Sequence, residues 1–364
     1  MNFQEKYKPD IWLFNLETNL DSKVLAAAHD WVDEFAKQAK TLFVVSTHVG
    51  RVNLPDNVSV LEIGGGTLVA RLIAIKRLVN LLPTIWRTRH QSIVFHHMSP
   101  KTVLILGLPI RMMKIPQGLW YSHSKFSMQF RIARSIVNFI FTSMSGTAPG
   151  KSSKYRFIGH GISENRFNSK SSGWEKVEGN ILFVGRVSPV KRIEELLKVV
   201  AICLPISNSS ESCINIVGPF NSESSYLKSL LVIAEQSKIK IELIGPVSYF
   251  KIPEHFRNAD FFYSGTPASV DKAVMEAGLS GCLILSTSQT TLELTGMHRA
   301  WTQILHEEPG NLQNQLSILS ALHPKKKDDM RDIVRLISTS NSRLSQTIAR
   351  IVAPLEELKS ADQR

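Results

Sequence analysis

The sequence predicts an α/β protein of two domains, each a mainly parallel sheet covered by helices, facing each other across a central cleft. Three observations carry this expectation. Apolar runs of strand length alternate with amphipathic runs of helix length along the whole chain, the pattern of stacked βαβ units. The chain has 364 residues, which suits two domains at roughly 100–200 residues each. A polar stretch, Asn168–Gly179, holding Ser169, Ser171, Ser172 and Gly173, interrupts the alternation, which then restarts.

In chain order, Asp10–Leu16 reads as the first strand and Asp21–Lys40 as the helix after it. Thr41–Ser46 and Val58–Ile63 read as strands, and Leu68–Leu82 as an amphipathic helix carrying Arg71, Lys76 and Arg77. Ser92–Phe95, Gly118–Tyr121, Phe139–Thr142 and Arg156–Ile158 complete the strands of the first half. Beyond the polar stretch, strands are expected at Asn180–Val184, Cys213–Val217, Ile239–Ile244, Asp260–Tyr263 and Leu283–Ser286. Helices are expected at Arg192–Cys203, Ser225–Lys238, Pro253–Asn258 and Lys272–Gly278, and the tail Lys325–Leu358 is mostly helical. The expected divisions are a first domain over 1–167, a linker over 168–179, a second domain over 180–342 and a terminal helix over 343–364, able to cross back to the first domain.

Composition narrows the function. With 43% apolar and 20% charged residues the chain is not a disordered one. Three cysteines, Cys203, Cys213 and Cys282, are too few and scattered for a disulfide framework or a zinc site. Met1–Asp10 lacks the apolar core of a secretory signal, and Thr102–Pro116, the longest apolar stretch, is broken by Pro109, Arg111 and Lys114. A cytoplasmic location is therefore expected, with peripheral attachment to the inner face of the plasma membrane left open. Charge is lopsided: residues 1–170 hold 22 Lys and Arg against 10 Asp and Glu, while the remainder balances. Such a field draws anionic partners: nucleic acid, anionic lipid headgroups or phosphorylated substrates. No aromatic-rich basic recognition motif is present, so nucleic acid is not the expected partner. Leu68–Leu82 and Thr102–Lys114 are instead expected to press apolar faces to an anionic membrane.

In open parallel sheets, ligands sit beyond the carboxyl ends of strands, so residues there are the candidates. In Phe183-Val184-Gly185-Arg186-Val187-Ser188-Pro189-Val190-Lys191, Gly185 lets backbone approach a ligand, and Arg186 and Lys191 offer a planar fork and a point charge suited to a diphosphate. Lys191 is expected at a helix start, where an anion would relieve its conflict with the dipole; the bland alternative is an ordinary loop with exposed charges. In Ser264–Gly278, Glu276 suits a bidentate grip on a ribose diol; the bland alternative is a helix glutamate turned to solvent. Gly64-Gly65-Gly66 could nest a phosphate or be a plain turn. His96-His97-Met98 lacks further ligands at metal spacing.

These segments carry a resemblance. Gly185-Arg186 with Lys191, Val217-Gly218-Pro219, Ile244-Gly245-Pro246-Val247, Asn258-Ala259-Asp260, and Glu276-Ala277 with Gly281 follow one another as in retaining nucleotide-sugar glycosyltransferases of family 4. Leu119-Trp120-Tyr121-Ser122-His123, Thr142-Ser143 and Gly159-His160-Gly161-Ile162 resemble acceptor-domain landmarks of the same family. The resemblance implies a GT-B fold, an enzyme without a metal or other cofactor, and a nucleoside-diphosphate sugar as donor. It implies that Arg186 and Lys191 neutralise the leaving diphosphate, that His123 points at the donor sugar or acceptor, and that Glu276 holds the ribose. Gly185, Val247, Asp271 and Lys272 fall on the donor side, His97 and Gly65 on the acceptor side. The implied acceptor is a glycan or lipid-linked hydroxyl, in bacterial envelope or surface polysaccharide synthesis.

Two departures stand out. Ala268 occupies the position of a family glutamate near the transferred sugar, with Asp271 or Lys272 as the candidate replacements. Glu17–Asp21 replaces a glycine-rich loop. The alternative is therefore a weak or inactive sugar-nucleotide-binding homologue that serves as an assembly partner.

Overall fold

The computed structural model describes residues 8–22, 25–122, 126–168, 176–203, 213–267 and 270–361. Contacts divide the chain into two units, Met1–Gly161 with Leu344–Arg364, and Ile162–Arg343. The division falls at Gly161 and Ile162 rather than within 168–179, because Glu164–Phe167 already packs in the second unit, Phe167 against Phe256. Val177–Gly179 belongs to a strand, and 169–175 lie outside the described residues.

The first unit contains β1 (Asp10–Thr18), α1 (Ala27–Gln38), β2 (Leu42–Val49), β3 (Val58–Glu62), α2 (Leu68–Val79), α3 (Leu82–Thr88) and β4 (Ser92–His97). The turn α4 (Pro100–Thr102), a π-helical turn Val103–Gly107 and α5 (Leu108–Met112) follow, then β5 (Gln117–Trp120), α6 (Met128–Ile136), β6 (Phe139–Thr142) and β7 (Tyr155–Phe157). Among the described residues the strands form one sheet in the order β3-β2-β1-β4-β5-β6-β7, and every pairing is parallel.

Buried on both faces, β1 reads Ile11-Trp12-Leu13-Phe14 without alternation, as a central parallel strand must. One face meets Trp31, Val32 and Phe35 of α1; the other meets Ala74 and Leu78 of α2 and Ile85 of α3. Thr67 starts α2, its side chain accepting from the Ala70 amide at 3.2 Å.

Thr102–Lys114 is not one amphipathic helix. Pro109 has no N–H to offer the carbonyl one turn back, and the chain passes through the π-turn with Val103, Leu106 and Ile110 buried.

The second unit contains α7 (Glu164–Phe167), β8 (Val177–Val184), α8 (Ile193–Cys203), β9 (Cys213–Val217), α9 (Ser225–Gln236), β10 (Lys240–Gly245), α10 (Ile252–Asn258), β11 (Ala259–Ser264), α11 (Lys272–Leu279) and β12 (Leu283–Ser286). Helices α12 (Gln289–Thr295), α13 (Met297–Ile304), α14 (Leu312–Ala321) and α15 (Pro324–Ser342) complete it. The sheet order is β10-β9-β8-β11-β12, again parallel. α16 (Leu344–Ala361) belongs to the first unit, where Ile348, Ile351 and Leu355 enter the core beside α1. No helix of the described residues is long and apolar enough to cross a membrane.

Candidate functional site

The order β10-β9-β8-β11-β12 reverses direction between β8 and β11. Successive crossovers run one way from β8 and the other way from β11, so the loops after these two strands diverge and leave a crevice at their carboxyl ends. The residues beyond them are Gly185-Arg186 and Gly265-Thr266. The two sequence segments with the strongest chemistry thus meet at one topological switch point.

Backbone closeness builds the floor. The Gly185 amide donates to the Val217 carbonyl at 2.9 Å, and the Gly218 amide to the Gly245 carbonyl at 2.9 Å. Gly218 has φ +134°, and a Cβ there would lie 2.2 Å from the Gly185 oxygen, so only glycine lets the two loops pass.

On this floor Lys191 is held by residues more than seventy positions away. Its ammonium donates to Thr266 Oγ1 at 3.1 Å and pairs with the Asp271 carboxylate, which Thr266 Oγ1 also reaches at 3.1 Å. Lys191 closes a 3-10 turn (Pro189–Lys191), and Arg192 follows with φ +50° before α8 begins at Ile193. The expected clash with a helix dipole therefore does not arise. The α8 N-terminus is served instead by the Tyr226 hydroxyl, which accepts from the Ile193 amide at 2.9 Å and pairs with Glu194. Burial, then the Glu194 bond, pushes the Tyr226 phenol up. Tyr263 OH ties down the turn by donating to the Arg192 carbonyl at 2.7 Å.

Glu276 is not turned to solvent. It lies in the buried flank of α11 at 5% exposure, where a carboxylate needs partners. Lys272, one turn earlier, places Nζ 3.3 Å from Oε1, and the Tyr249 hydroxyl donates to the same oxygen at 3.4 Å. Lys272 Nζ donates to Tyr249 OH at 3.1 Å and sits 4.6 Å from its ring centroid. Val247, two residues before Tyr249, is half-buried just past β10.

Arg186 differs from the other cations here. It is exposed, and among the described residues it forms neither an ion pair nor a hydrogen bond. Asp271 and Glu276 engage Lys191 and Lys272, whereas the exposed Arg186 guanidinium has no carboxylate partner among the described residues.

Sequence reasoning missed Thr266 and Tyr249. Thr266 stood in the quoted Ser264–Gly278 segment, and Tyr249 lies two positions past a quoted motif; a hydroxyl near a proposed ribose carboxylate was the available signal. His123 and Ala268 lie outside the described residues.

The first sheet also reverses, between β1 and β4. At that point His97 Nδ1 meets Asn15 Oδ1 at 3.0 Å, and the ring stacks 4.9 Å from Trp31. Asn15 Nδ2 donates to the Glu17 carbonyl at 2.7 Å, which orients its oxygen toward the histidine. Gly65, packed at Thr47, follows β3. In the sheet order β1 lies between β2, on which Gly65 packs, and β4, which carries His97. His96, facing the other way, is fully buried; burial lowers it to about 3. His96 Nδ1 lies 2.8 Å from Thr102 Oγ1, which also lies 2.8 Å from the Ser99 carbonyl. Among the described residues no group of three His, Cys, Asp or Glu could hold a metal ion.

No protein-family model matches the sequence, and no curated protein matches it. Solved structures do. The chain is similar to Anabaena Alr3699/HepE, in a crystal structure with UDP and glucose, at TM-score 0.66 and 14% identity over 96% of this chain and 100% of that one. A glycosyltransferase from Rickettsia africae is similar at TM-score 0.68 and 12% identity over 96% and 98%. A putative UDP-N-acetylglucosamine 2-epimerase from Listeria monocytogenes is similar at TM-score 0.57 and 13% identity over 96% of each. What these likenesses establish is architecture: the chain has the GT-B fold, an α/β fold with two parallel sheets, on which glycosyltransferases are built.

Proposed function

We propose that the chain is a retaining glycosyltransferase of family 4 that moves a sugar from a nucleoside-diphosphate donor to a hydroxyl of a glycan or lipid-linked acceptor. The synthesis of envelope or surface polysaccharide is the setting it fits. The observation that carries this reading is Arg186, an exposed guanidinium at the β8–β11 switch point with no carboxylate of its own among the described residues. Five residues on, Lys191 is fixed by Thr266 and Asp271. A diphosphate supplies the negative charge that Arg186 lacks and bidentate acceptors for its fork.

As the bond from the sugar C1 to the diphosphate oxygen breaks, charge grows on the phosphate. In this reading Arg186 and Lys191 stabilise it, and Lys191, held by Thr266 and Asp271, needs little reorganisation at that moment. The acceptor oxygen bonds to C1 on the face the diphosphate leaves, and the acceptor proton passes to the departing diphosphate. No metal is required, because the two cations occupy its role. Glu276 takes the ribose diol and the backbone at Val247 meets the base. Because HepE was crystallised with UDP, uridine diphosphate sugars are the first donors to try.

A second reading is favoured by Ala268: a sugar-nucleotide binder without turnover, acting as an assembly partner. Release of nucleoside diphosphate from a panel of donor sugars separates the two. Turnover that persists in excess EDTA supports the metal-free transferase; donor binding with no transfer or hydrolysis supports the second reading.

A further inference from the structure

The helix α2 is packed inside out. Its inward stripe is Ala70, Ala74 and Leu78, mostly small, while Leu68, Leu72, Ile75 and Val79 lie exposed, Leu68 at 74% and Leu72 at 61%. The exposed four recur at i, i+4, i+7 and i+11, one continuous stripe on a 3.6-residue helix. A soluble helix ordinarily buries its larger apolar stripe; α2 buries the smaller.

The stripe belongs to a layer. Ala74 and Leu78 of α2, Ile85 of α3 and Ile110 of α5 all pack on the same sheet face, so the opposite sides of these helices point away from that face together. There the layer also exposes Trp86, with the Arg89 guanidinium 3.9 Å from its ring centroid, and Met112 at 77%. The charge is of one sign: from Ile63 to Ser163 the sequence holds fourteen Lys and Arg and no Asp or Glu. On α2 itself Arg71 and Lys76 are exposed and form no ion pair among the described residues. The helices on the other face differ, α1 carrying Asp30, Asp33 and Glu34 and α16 carrying Glu356 and Glu357.

We infer that this face docks on an anionic lipid bilayer, with the α2 stripe entering the headgroup–acyl boundary and the surrounding cations meeting lipid phosphates. Charge complementarity selects this occupant: a continuous aliphatic stripe accompanied by the exposed cations Arg71 and Lys76, which form no ion pair among the described residues, matches a surface that is apolar beneath and negative above. Thr102–Lys114 contributes only its exposed side, Leu108 and Met112, because its other apolar residues are core. The inference stands apart from the transferase reading, since lipid binding is measured without nucleotide.

The test is co-sedimentation of the full chain with vesicles of phosphatidylcholine alone and with phosphatidylglycerol added. The wild type is expected to bind the anionic vesicles at least ~10-fold better and to release as salt rises. The double variant Leu72→Asp/Ile75→Asp is expected to lose this binding, with its circular dichroism and melting unchanged because both positions are exposed. Arg71→Ser/Lys76→Ser is expected to weaken it about fivefold per cation. Equal binding to both vesicle types, unaltered binding by the aspartate variant, or no binding by the wild type overturns the inference. So does a wild-type dimer in solution that the aspartate variant abolishes without any vesicle binding, which would make the stripe a contact between copies.

Discussion

In the proposed transferase Arg186 and Lys191 share the electrostatic work: Lys191 is locked by Asp271 and Thr266, whereas Arg186, without an ion pair among the described residues, is assigned to the diphosphate. Removal of either is expected to lower kcat by about 10²-fold, the scale on which fixed transition-state charges act. Arg186→Ala should also raise the donor KM, and steady-state kinetics with the active donor checks both. Near-wild-type turnover would remove the assignment.

At Glu276 the two partners Lys272 and Tyr249 hold the carboxylate in place. Tyr249→Phe deletes a hydroxyl and little volume, so a several-fold rise in donor KM with little change in kcat is expected.

His96 gives a pH signature unrelated to catalysis. Its buried ring stays neutral to about pH 3, while in the unfolded chain it protonates near ~6.5. Its contribution to stability is therefore complete above ~6.5 and is lost as pH falls toward 3, at about 1.4 kcal/mol per unit. Urea unfolding should show this slope between about pH 6 and pH 5, flattened in His96→Leu.

Elements were the most legible scale. β9 and β12 run over Cys213–Val217 and Leu283–Ser286, as the apolar runs predict, and α11 over Lys272–Leu279. Local pattern suffices there because a buried parallel strand is a continuous apolar run. Pattern fails where packing decides. The periodicity of α2 announces a helix but not which apolar stripe faces the sheet, and the π-turn at Val103–Gly107 reflects a proline in a crowded core. The Lys191–Asp271 pair was illegible for another reason: eighty residues separate the partners, and only the strand order brings them together. Gly218 marks a close crossing of two loop backbones. Gly218→Ala sets a methyl against the Gly185 carbonyl at positive φ and is expected to cost about 3 kcal/mol, read as a lower urea midpoint. An unchanged midpoint would mean that the β8 and β9 loops do not meet there.

Over the whole molecule, the chain leaves its first unit at Gly161 and returns at Leu344. α16 then supplies Leu344, Ile348, Ile351, Val352 and Leu355 to the first core. Burial of five aliphatic side chains stabilises on the order of 10 kcal/mol, comparable to the whole net stability of a domain. A chain ending at Arg343 is therefore expected to expose its first unit to limited proteolysis, and equal resistance would contradict this role. The most direct measurement of the central claim is a thermal-shift panel of nucleoside diphosphates on wild type and Arg186→Ala. One diphosphate should stabilise the wild type, by about 2.7 kcal/mol at a hundred times Kd, and lose most of that effect in the variant. No stabilisation by any of them, or an equal shift in Arg186→Ala, would contradict the account.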